Sequence, residues 1–568
     1  MNRLQQRVRT DWSVLAVLLA FALAACVIPT LTNVATTDDW AYARSVEMLV
    51  NDGKLQVFSV VAATSVGQVL WGGAFALVFG MSLGVMRLST VVITAAGAIA
   101  FYAILRHVGI SRHRSALGVA IYLFNPLSLM LAFTFMTDPH FTSVMVISLA
   151  LYMRGLKRDD QDWRIVVAAS FFAGWAFLIR QQGALIPFAV GWYLLVSRQL
   201  WFNRQSILRL LHVAALPVVM LVAYYASLRW INPDAIIQST FFDQAISTGW
   251  DGTWALLRWL TYIELMYAGL LLLPVVLAVL PRSRNLMFDL VTGSRLNWYA
   301  LLGWLGILGI GIYSFSRAGR RMPYIGQFAT LRGLGPSDVP GARKMLSSLP
   351  WIPDVVTVIA LAAAALVGLI LCQRILDTAT PERAAAGLLA MVGLWQAIGV
   401  LPASYHYINR GGSLDRYLLP LFPVLIALAL RALAGQRMLM PVAWVAIAAI
   451  GIFSTIGARD YLVYLDAVWD MARTANAMGI ENTKIDAGSA WDGYHLYYNA
   501  QEQPGTPVNT PNPPWWVRLY ARSTDSTYLV STNPDAHKGY SILLSRPYSA
   551  WLENDPVSVY LLKKDNAP

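Results

Sequence analysis

Cysteine, histidine and charge are all scarce in this chain. Its two cysteines, Cys26 and Cys372, fall inside apolar runs, so neither a disulfide framework nor a metal-binding cysteine spacing can be built from them. Only 13% of the residues are charged, against roughly 25% in an ordinary soluble domain, which excludes a soluble enzyme. No phosphate-cradling glycine-rich loop, zinc spacing or dinucleotide fingerprint occurs, which argues against a nucleotide-linked substrate. Heptads, low-complexity tracts and internal repeats are missing as well.

What the chain has is apolar length. Of its 568 residues 57% are hydrophobic, and runs of about 20, the length that crosses a hydrocarbon core as a helix, recur from Ser13 to Ile456. About thirteen spans are expected, near 13–31, 84–105, 115–135, 139–154, 165–180, 183–197, 207–228, 256–280, 298–315, 354–373, 384–402, 416–434 and 438–457. After Arg459 the apolar runs stop and Asp, Asn, Pro and Tyr return. The chain therefore divides into a membrane domain, 1–457, and a polar tail, 458–568. In the tail, 466–478 reads as a helix and 483–487, 527–531, 541–545 and 557–563 read as strands, a small α/β domain.

A net charge of +12 would suggest nucleic acid in a soluble protein. Here the charge follows the membrane, so lipid head groups are the first basic-residue partners and no nucleic acid is expected. Arg106/Arg112/Arg114, Arg154/Lys157/Arg158/Arg164, Arg198/Arg204/Arg209, Arg282/Arg284, Arg374/Arg383 and Arg431/Arg437 share one side with the basic N-terminus. That side is read as cytoplasmic in a bacterial inner membrane. An odd number of spans then puts the tail in the periplasm, with the loops 32–83, 229–255, 316–353 and 403–415. The start, with Leu23-Ala24-Ala25-Cys26 after a basic and apolar stretch, looks like a lipoprotein signal. The apolar run continues past Cys26, which favours a retained first helix.

The outer loops are rich in Trp, Tyr, Pro and Gly and hold arginines that the positive-inside tendency does not place there. In the first, Trp40–Val50 reads as a helix, and Val66–Phe79 as a second lying in the interface. Just after the first span comes Thr36-Thr37-Asp38-Asp39-Trp40-Ala41-Tyr42. A carboxylate at an apolar boundary is partly desolvated, gains basicity and can take a proton from a hydroxyl. A plainer reading stands beside this one: Asp38 or Asp39 simply caps the helix that begins at Trp40. Met136-Thr137-Asp138-Pro139-His140 supplies a second carboxylate in a short outer turn. Asp138 again suits a helix start with Pro139 in its first turn, yet it faces the same side as Asp38, and His140 could bind a proton, phosphate or metal.

Positive charge on that side comes from Arg180, Arg317, Arg320, Arg321, Arg410 and Arg416, whose guanidinium groups suit phosphate. Arg180 stands between two spans, where an ionisable group is functional by default or else snorkels. The run Ser316–Tyr324 reads equally as a phosphate clamp or an exposed basic loop. Tyr405, His406, Arg416 and Tyr417 bracket the start of the twelfth span, as an aromatic belt or as a sugar- or phosphate-facing group.

In order and placement these motifs resemble the GT-C membrane glycosyltransferases, in the branch of bacterial aminoarabinose transferases and protein O-mannosyltransferases. The resemblance rests on Asp38-Asp39 with Tyr42, Gly80 to Arg87, Thr137-Asp138-Pro139, Arg180-Gln181 and Arg416-Tyr417-Leu418-Leu419-Pro420, and covers most of 10–435. Lys484 to Gly488 and Trp491-Asp492-Gly493-Tyr494 resemble the outer domain of that branch. It implies a GT-C fold and inverting transfer of a sugar from a polyprenyl-phosphate donor to a lipid, polysaccharide or protein acceptor. Asp38 would be the general base and Asp138 a second acid. Asp39, Tyr42, His140, Arg180, Arg320, Arg321, Tyr405, His406, Arg416 and Tyr417 are the candidates for holding substrate. Asp39 replaces the glutamate many relatives carry. The resemblance leaves a divalent metal open, with Asp38, Asp138 and His140 its ligands if one is held.

A transporter or flippase of a lipid-linked sugar is the alternative. It calls for charges near the bilayer midplane and broken helices in paired halves, whereas the charges here gather at the outer boundary. A polysaccharide polymerase or ligase with a pyrophosphate-linked donor, which needs no Asp at both positions, and a noncatalytic scaffold stand further back.

Overall fold

The computed structural model describes residues 12–156, 162–201, 203–232, 236–283, 295–317, 321–323, 326–330, 333–341, 350–374, 381–406, 413–502, 513–553 and 557–565. A helix lies on each segment that hydropathy marks as a span. The chain begins with α1 (Trp12–Val27), α2 (Asp39–Asp52), α3 (Val66–Phe79), α4 (Leu83–His107), α5 (Arg112–Phe124), α6 (Pro126–Ala132), α7 (Thr137–Gly155), α8 (Trp163–Ile179), α9 (Leu185–Val196) and α10 (Arg204–Ile231). It continues through α11 (Ile236–Leu271), α12 (Leu273–Val279), α13 (Arg295–Arg317), α14 (Ile352–Arg374), α15 (Pro381–Gly399), α16 (Leu401–His406), α17 (Leu421–Ala432) and α18 (Met440–Ala477). By length and composition, four helices among the described residues can cross a membrane, Leu83–His107, Arg204–Ile231, Ile352–Leu371 and Met440–Ala477, or up to six if each bent pair is one span.

Three departures from the expected spans have local causes. The third breaks by 66° between α5 and α6, because Asn125 precedes Pro126 and is held extended at ψ 151°, its side chain capping Ser128 N–H instead. The twelfth opens with a single 3-10 turn at Asp415–Leu418 before α17 begins. The helix of the last span does not stop at 457: α18 runs for 38 residues without interruption and absorbs the separate helix expected at 466–478.

Beyond α18 the chain forms β3 (Ile485–Asp486), α19 (Ser489–Glu502), α20 (Trp515–Tyr520), β4 (Tyr528–Ser531), β5 (Tyr540–Tyr548) and β6 (Val557–Lys564). The strands stand in the order β3-β4-β6-β5, with β3 parallel to β4 and the other pairs antiparallel. All four expected strands are there, and α19 and α20 were not foreseen. A two-stranded hairpin, β1 (Ala329–Thr330) and β2 (Gly333–Leu334), was also unanticipated. The outer half of α18 packs on the sheet, and its buried Asp460 accepts the backbone N–H groups of Trp551 and Leu552, each at 2.8 Å.

The stretch after α1 is fixed by a fully buried arginine. Arg87 of α4 donates to the carbonyl oxygens of Thr30 at 2.8 Å, Thr32 at 3.1 Å and Val34 at 2.7 Å. The approach needs Gly84, where a Cβ would stand 2.4 Å from the Leu31 carbonyl oxygen. From behind, Tyr461 of α18 donates to the Thr36 carbonyl at 2.9 Å. These contacts bring α2 to the edge of the bundle, where α19 covers it. Trp40 is buried against Phe58, Tyr497 and Tyr520, and Arg44 donates to the Tyr494 carbonyl at 2.7 Å.

Candidate active site

Asp38 sits at the N-cap position of α2 but makes no side-chain cap bond, so the capping explanation fails for it. One of its oxygens stands 3.5 Å from an Arg416 nitrogen, and the other accepts from the Tyr520 hydroxyl at 3.3 Å. The carboxylate remains 30% exposed. Its neighbour is used differently. Asp39 is buried and accepts from Thr36 N–H at 2.8 Å, from the Thr36 hydroxyl at 2.6 Å and from Phe135 N–H at 3.2 Å. Adjacent helical residues point about 100° apart, so one carboxylate opens outward while the other ties its own loop to the turn before α7.

Just beyond it, in the first turn of α7, stands Asp138. Its carboxylate is only 1% exposed and pairs with Arg180, just past the end of α8, while its second oxygen has no hydrogen bond among the described residues. Both arginines converge on one ring: the guanidinium of Arg180 lies 5.0 Å and that of Arg416 5.4 Å from the centre of Tyr417. Arg416 also donates to the sulfur of Met136 at 3.8 Å. It is aimed by Asp415, which accepts four backbone N–H groups, from Gln327, Phe328, Ala329 and Arg416 itself. Burial pushes the Asp415 carboxyl up to about 6, against the pull of those four donors.

Tyr42, one helical turn after Asp38 and on the same face, stands among these charges. Burial pushes its phenol up to about 12, with Arg416 and Arg180 pulling it down and Asp38 and Asp138 pushing it up. The sequence-derived set Asp38, Tyr42, Asp138, Arg180, Arg416 and Tyr417 is therefore one constellation, assembled from segments almost 380 residues apart.

Other expected residues make contacts of their own, Tyr405 among them packed on the small apolar cluster that holds Tyr417. Arg321 pairs with Asp354 in the first turn of α14. Tyr405 shares a hydrogen bond with Thr253 at 2.8 Å. Arg320, Arg410 and the side chain of His406 lie outside the described residues. His140 is buried, with Nδ1 3.0 Å from the Met136 carbonyl and its ring edge-on to Phe135. Among the described residues no three acidic, His or Cys side chains gather as a metal needs. Asp138 gives one oxygen to Arg180 and His140 gives Nδ1 to its own helix, while the other Asp138 oxygen and His140 Nε2 stay buried without a partner among the described residues.

Three further residues join the site without having been singled out in the sequence. Asp338, on the loop after β2, is half-buried and hydrogen-bonded by Trp515. Burial and then the charge of Asp38 push its carboxyl up to about 7, while Trp515 and Arg416 pull it down. Its loop is pinned because Gly335, at φ +88°, lies against the ring of Tyr461, and because the Asp338 carbonyl accepts from Ser489 N–H at 2.8 Å. Trp515 and Tyr520 both belong to α20, so the C-terminal segment forms one wall. Only the Trp-Trp-Val-Arg-Leu-Tyr aromatic cluster hinted at this.

Carboxylates of unequal exposure beside two guanidiniums can accept a proton and hold an anion within one small space. The family model for dolichyl-phosphate-mannose-protein mannosyltransferase matches residues 70–225, the segment that carries Arg87, Asp138, His140 and Arg180. Among solved structures, ArnT from Cupriavidus metallidurans bound to undecaprenyl phosphate is similar, at 16% identity over 97% of this chain and 98% of that one, with a TM-score of 0.42. The Archaeoglobus fulgidus oligosaccharyltransferase in complex with Zn and sulfate is similar at 12% identity, over 91% of this chain and 68% of that one, with a TM-score of 0.44. No curated protein matches the sequence. Over 70–225 the family-model match meets the resemblance that the short motifs carry.

Proposed function

We propose that this membrane protein is an inverting glycosyltransferase of the GT-C class, moving a sugar from a polyprenyl-phosphate carrier to a hydroxyl of a lipid, polysaccharide or protein acceptor. The observation that carries the reading is the state of Asp38: at a helix start, not capping it, part-open to solvent and held loosely against Arg416. A carboxylate serving the fold alone would look like Asp39.

In this reading the acceptor hydroxyl gives its proton to Asp38 as its oxygen bonds to the anomeric carbon. The bond from that carbon to the phosphate oxygen breaks on the opposite side, and the carrier leaves as polyprenyl phosphate. Arg416 and Arg180 take up the charge that grows on the leaving phosphate. Asp138 keeps Arg180 in place, and Tyr42, with its proton retained, orients a sugar or phosphate oxygen. The reaction would occur at the periplasmic face of a bacterial inner membrane, since the basic connectors lie at the other end. Residues 458–568 would then be a periplasmic portion that closes the site through Tyr520 and Trp515.

The test is release of free polyprenyl phosphate from a panel of carrier-linked sugars by the full chain in lipid. Wild type should release it and Asp38→Asn, folded to the same degree, should not. Equal release by both removes Asp38 from the reacting centre, and none from either across the panel returns the transporter reading.

A further inference from the structure

At the end of the bundle away from Asp38, three basic connectors meet around a cavity of about 680 Å³. One is the turn between α4 and α5 with Ser111 and Arg114, one is the end of α12 with Arg282, and one is the turn between α17 and α18 with Gln436, Arg437 and Leu439. The separation from Asp38 follows from α4. Gly84 touches the chain that leads to Asp38, while the turn beyond His107 lines the cavity. Between them lie most of 25 helical residues, roughly 35 Å of rise, comparable to a hydrocarbon core of about 30 Å.

The lining holds three arginines and no acidic residue. Arg114 donates to the carbonyls of Leu433 and Gln436, and Arg282 to that of Arg437. Those bonds brace the rim and use only some of the five N–H donors on each guanidinium. The Arg437 guanidinium makes no hydrogen bond among the described residues. Three like charges around one cavity repel each other unless an anion joins them. The lining itself turns apolar at Leu439, 43% exposed, and along the chain from it Leu280, two residues before Arg282, is 52% exposed and Val445, about a turn and a half into α18, is 70% exposed. A free anion has no use for that border, whereas a lipid phosphate places its acyl chains along it.

We propose that this cavity binds the phosphate head group of an anionic membrane phospholipid, at the face opposite the reacting centre. Arg282, Arg437 and Arg114 hold the phosphate, and the exposed leucines and valine receive the chains. The same phosphate chemistry could arrive as free inorganic phosphate, and the experiment separates the two sources.

Phosphatidylglycerol is titrated onto the full chain in neutral detergent, with retained lipid counted by native mass spectrometry. Each arginine near an anionic head group is worth about fivefold in affinity, so Arg282→Gln with Arg437→Gln should weaken retention by roughly twenty-five-fold. Arg204→Gln, on another basic connector, should leave it unchanged, and phosphatidylcholine should not be retained. Equal retention by the double variant and wild type overturns the proposal, as does displacement of the lipid by inorganic phosphate at matched concentration. Should the double variant fold poorly, Arg437→Gln alone decides, since that side chain braces nothing: about fivefold weaker retention supports the site and no change refutes it.

Discussion

Two ion pairs meet over the ring of Tyr417, and they are built to opposite ends. Asp138 with Arg180 is closed, with the carboxylate 1% and the guanidinium 12% exposed. Asp38 with Arg416 is loose, at 3.5 Å, and its carboxylate is 30% exposed. A buried pair holds position, because either partner alone is costly to leave in a dry place. A loose pair at an opening can exchange its partner for a substrate. In the proposed reading the difference gives chemistry to Asp38 and scaffolding to Asp138, although both stand at the start of a helix.

The strongest challenge to that contrast is Asp38→Asn. It should cut turnover roughly 100- to 10,000-fold and lower the melting temperature less than Asp138→Asn does, since Asp38 caps nothing and is part-open to solvent although the Arg416 it faces is buried. A loss within threefold would make the two pairs equivalent. Asp138→Asn should act on stability first, by about 3–5 kcal/mol for an arginine left unpaired in a buried place, read as a drop in melting temperature. Adding Arg180→Gln should recover part of it, and an unchanged melting curve would show that the closed pair is not holding the fold. Arg416→Lys keeps the charge but loses the planar fork; kcat should fall roughly tenfold, because the fork meets charge that grows on the leaving phosphate.

Asp338 sharpens the contrast through pH. Its carboxyl, raised to about 7, is neutral below that value and charged above it. An ionised Asp338 opposes an anionic donor, so donor KM should climb as pH passes upward through about 7, and Asp338→Asn should stay flat at the low-pH level. KM measured from about pH 5.5 to 8.5 tests the slope around that carboxyl. Tyr520→Phe, which removes one long hydrogen bond to Asp38, should cost only about two- to fivefold in kcat/KM.

Much of this was legible because it is local. Every expected span carries a helix, since an apolar run of that length has little else to become in a bilayer. The strands 483–487, 527–531, 541–545 and 557–563 announced themselves by β-branched and aromatic residues. Asp38, Asp138, Arg180 and Arg416 could be found because charge at a membrane boundary is rare. The sequence could not tell Asp38 from Asp39, since only the helix start decides which one turns inward. It drew Arg321 toward the site, although that side chain finds Asp354 nearby. It passed over Asp338, whose meaning comes from Trp515 and Asp38, each far away along the chain. The break at Asn125 was readable from Pro126, but the apolar run across it hid the signal.

The uninterrupted helix Met440–Ala477 makes the protein sensitive to angular phase. At about 1.5 Å per residue its 38 residues form a shaft of roughly 57 Å, anchored at one end in apolar packing and at the other under the sheet. A one-residue insertion near Ser454 would turn everything beyond it by about 100°, carrying Tyr461 away from Thr36 and Gly335 together. A whole-turn insertion would keep the angle and only lift the sheet. The reach of Tyr520 and Trp515 over Asp38 is thus metered by residue count along one shaft, much as a key's cut depends on where its shoulder stops.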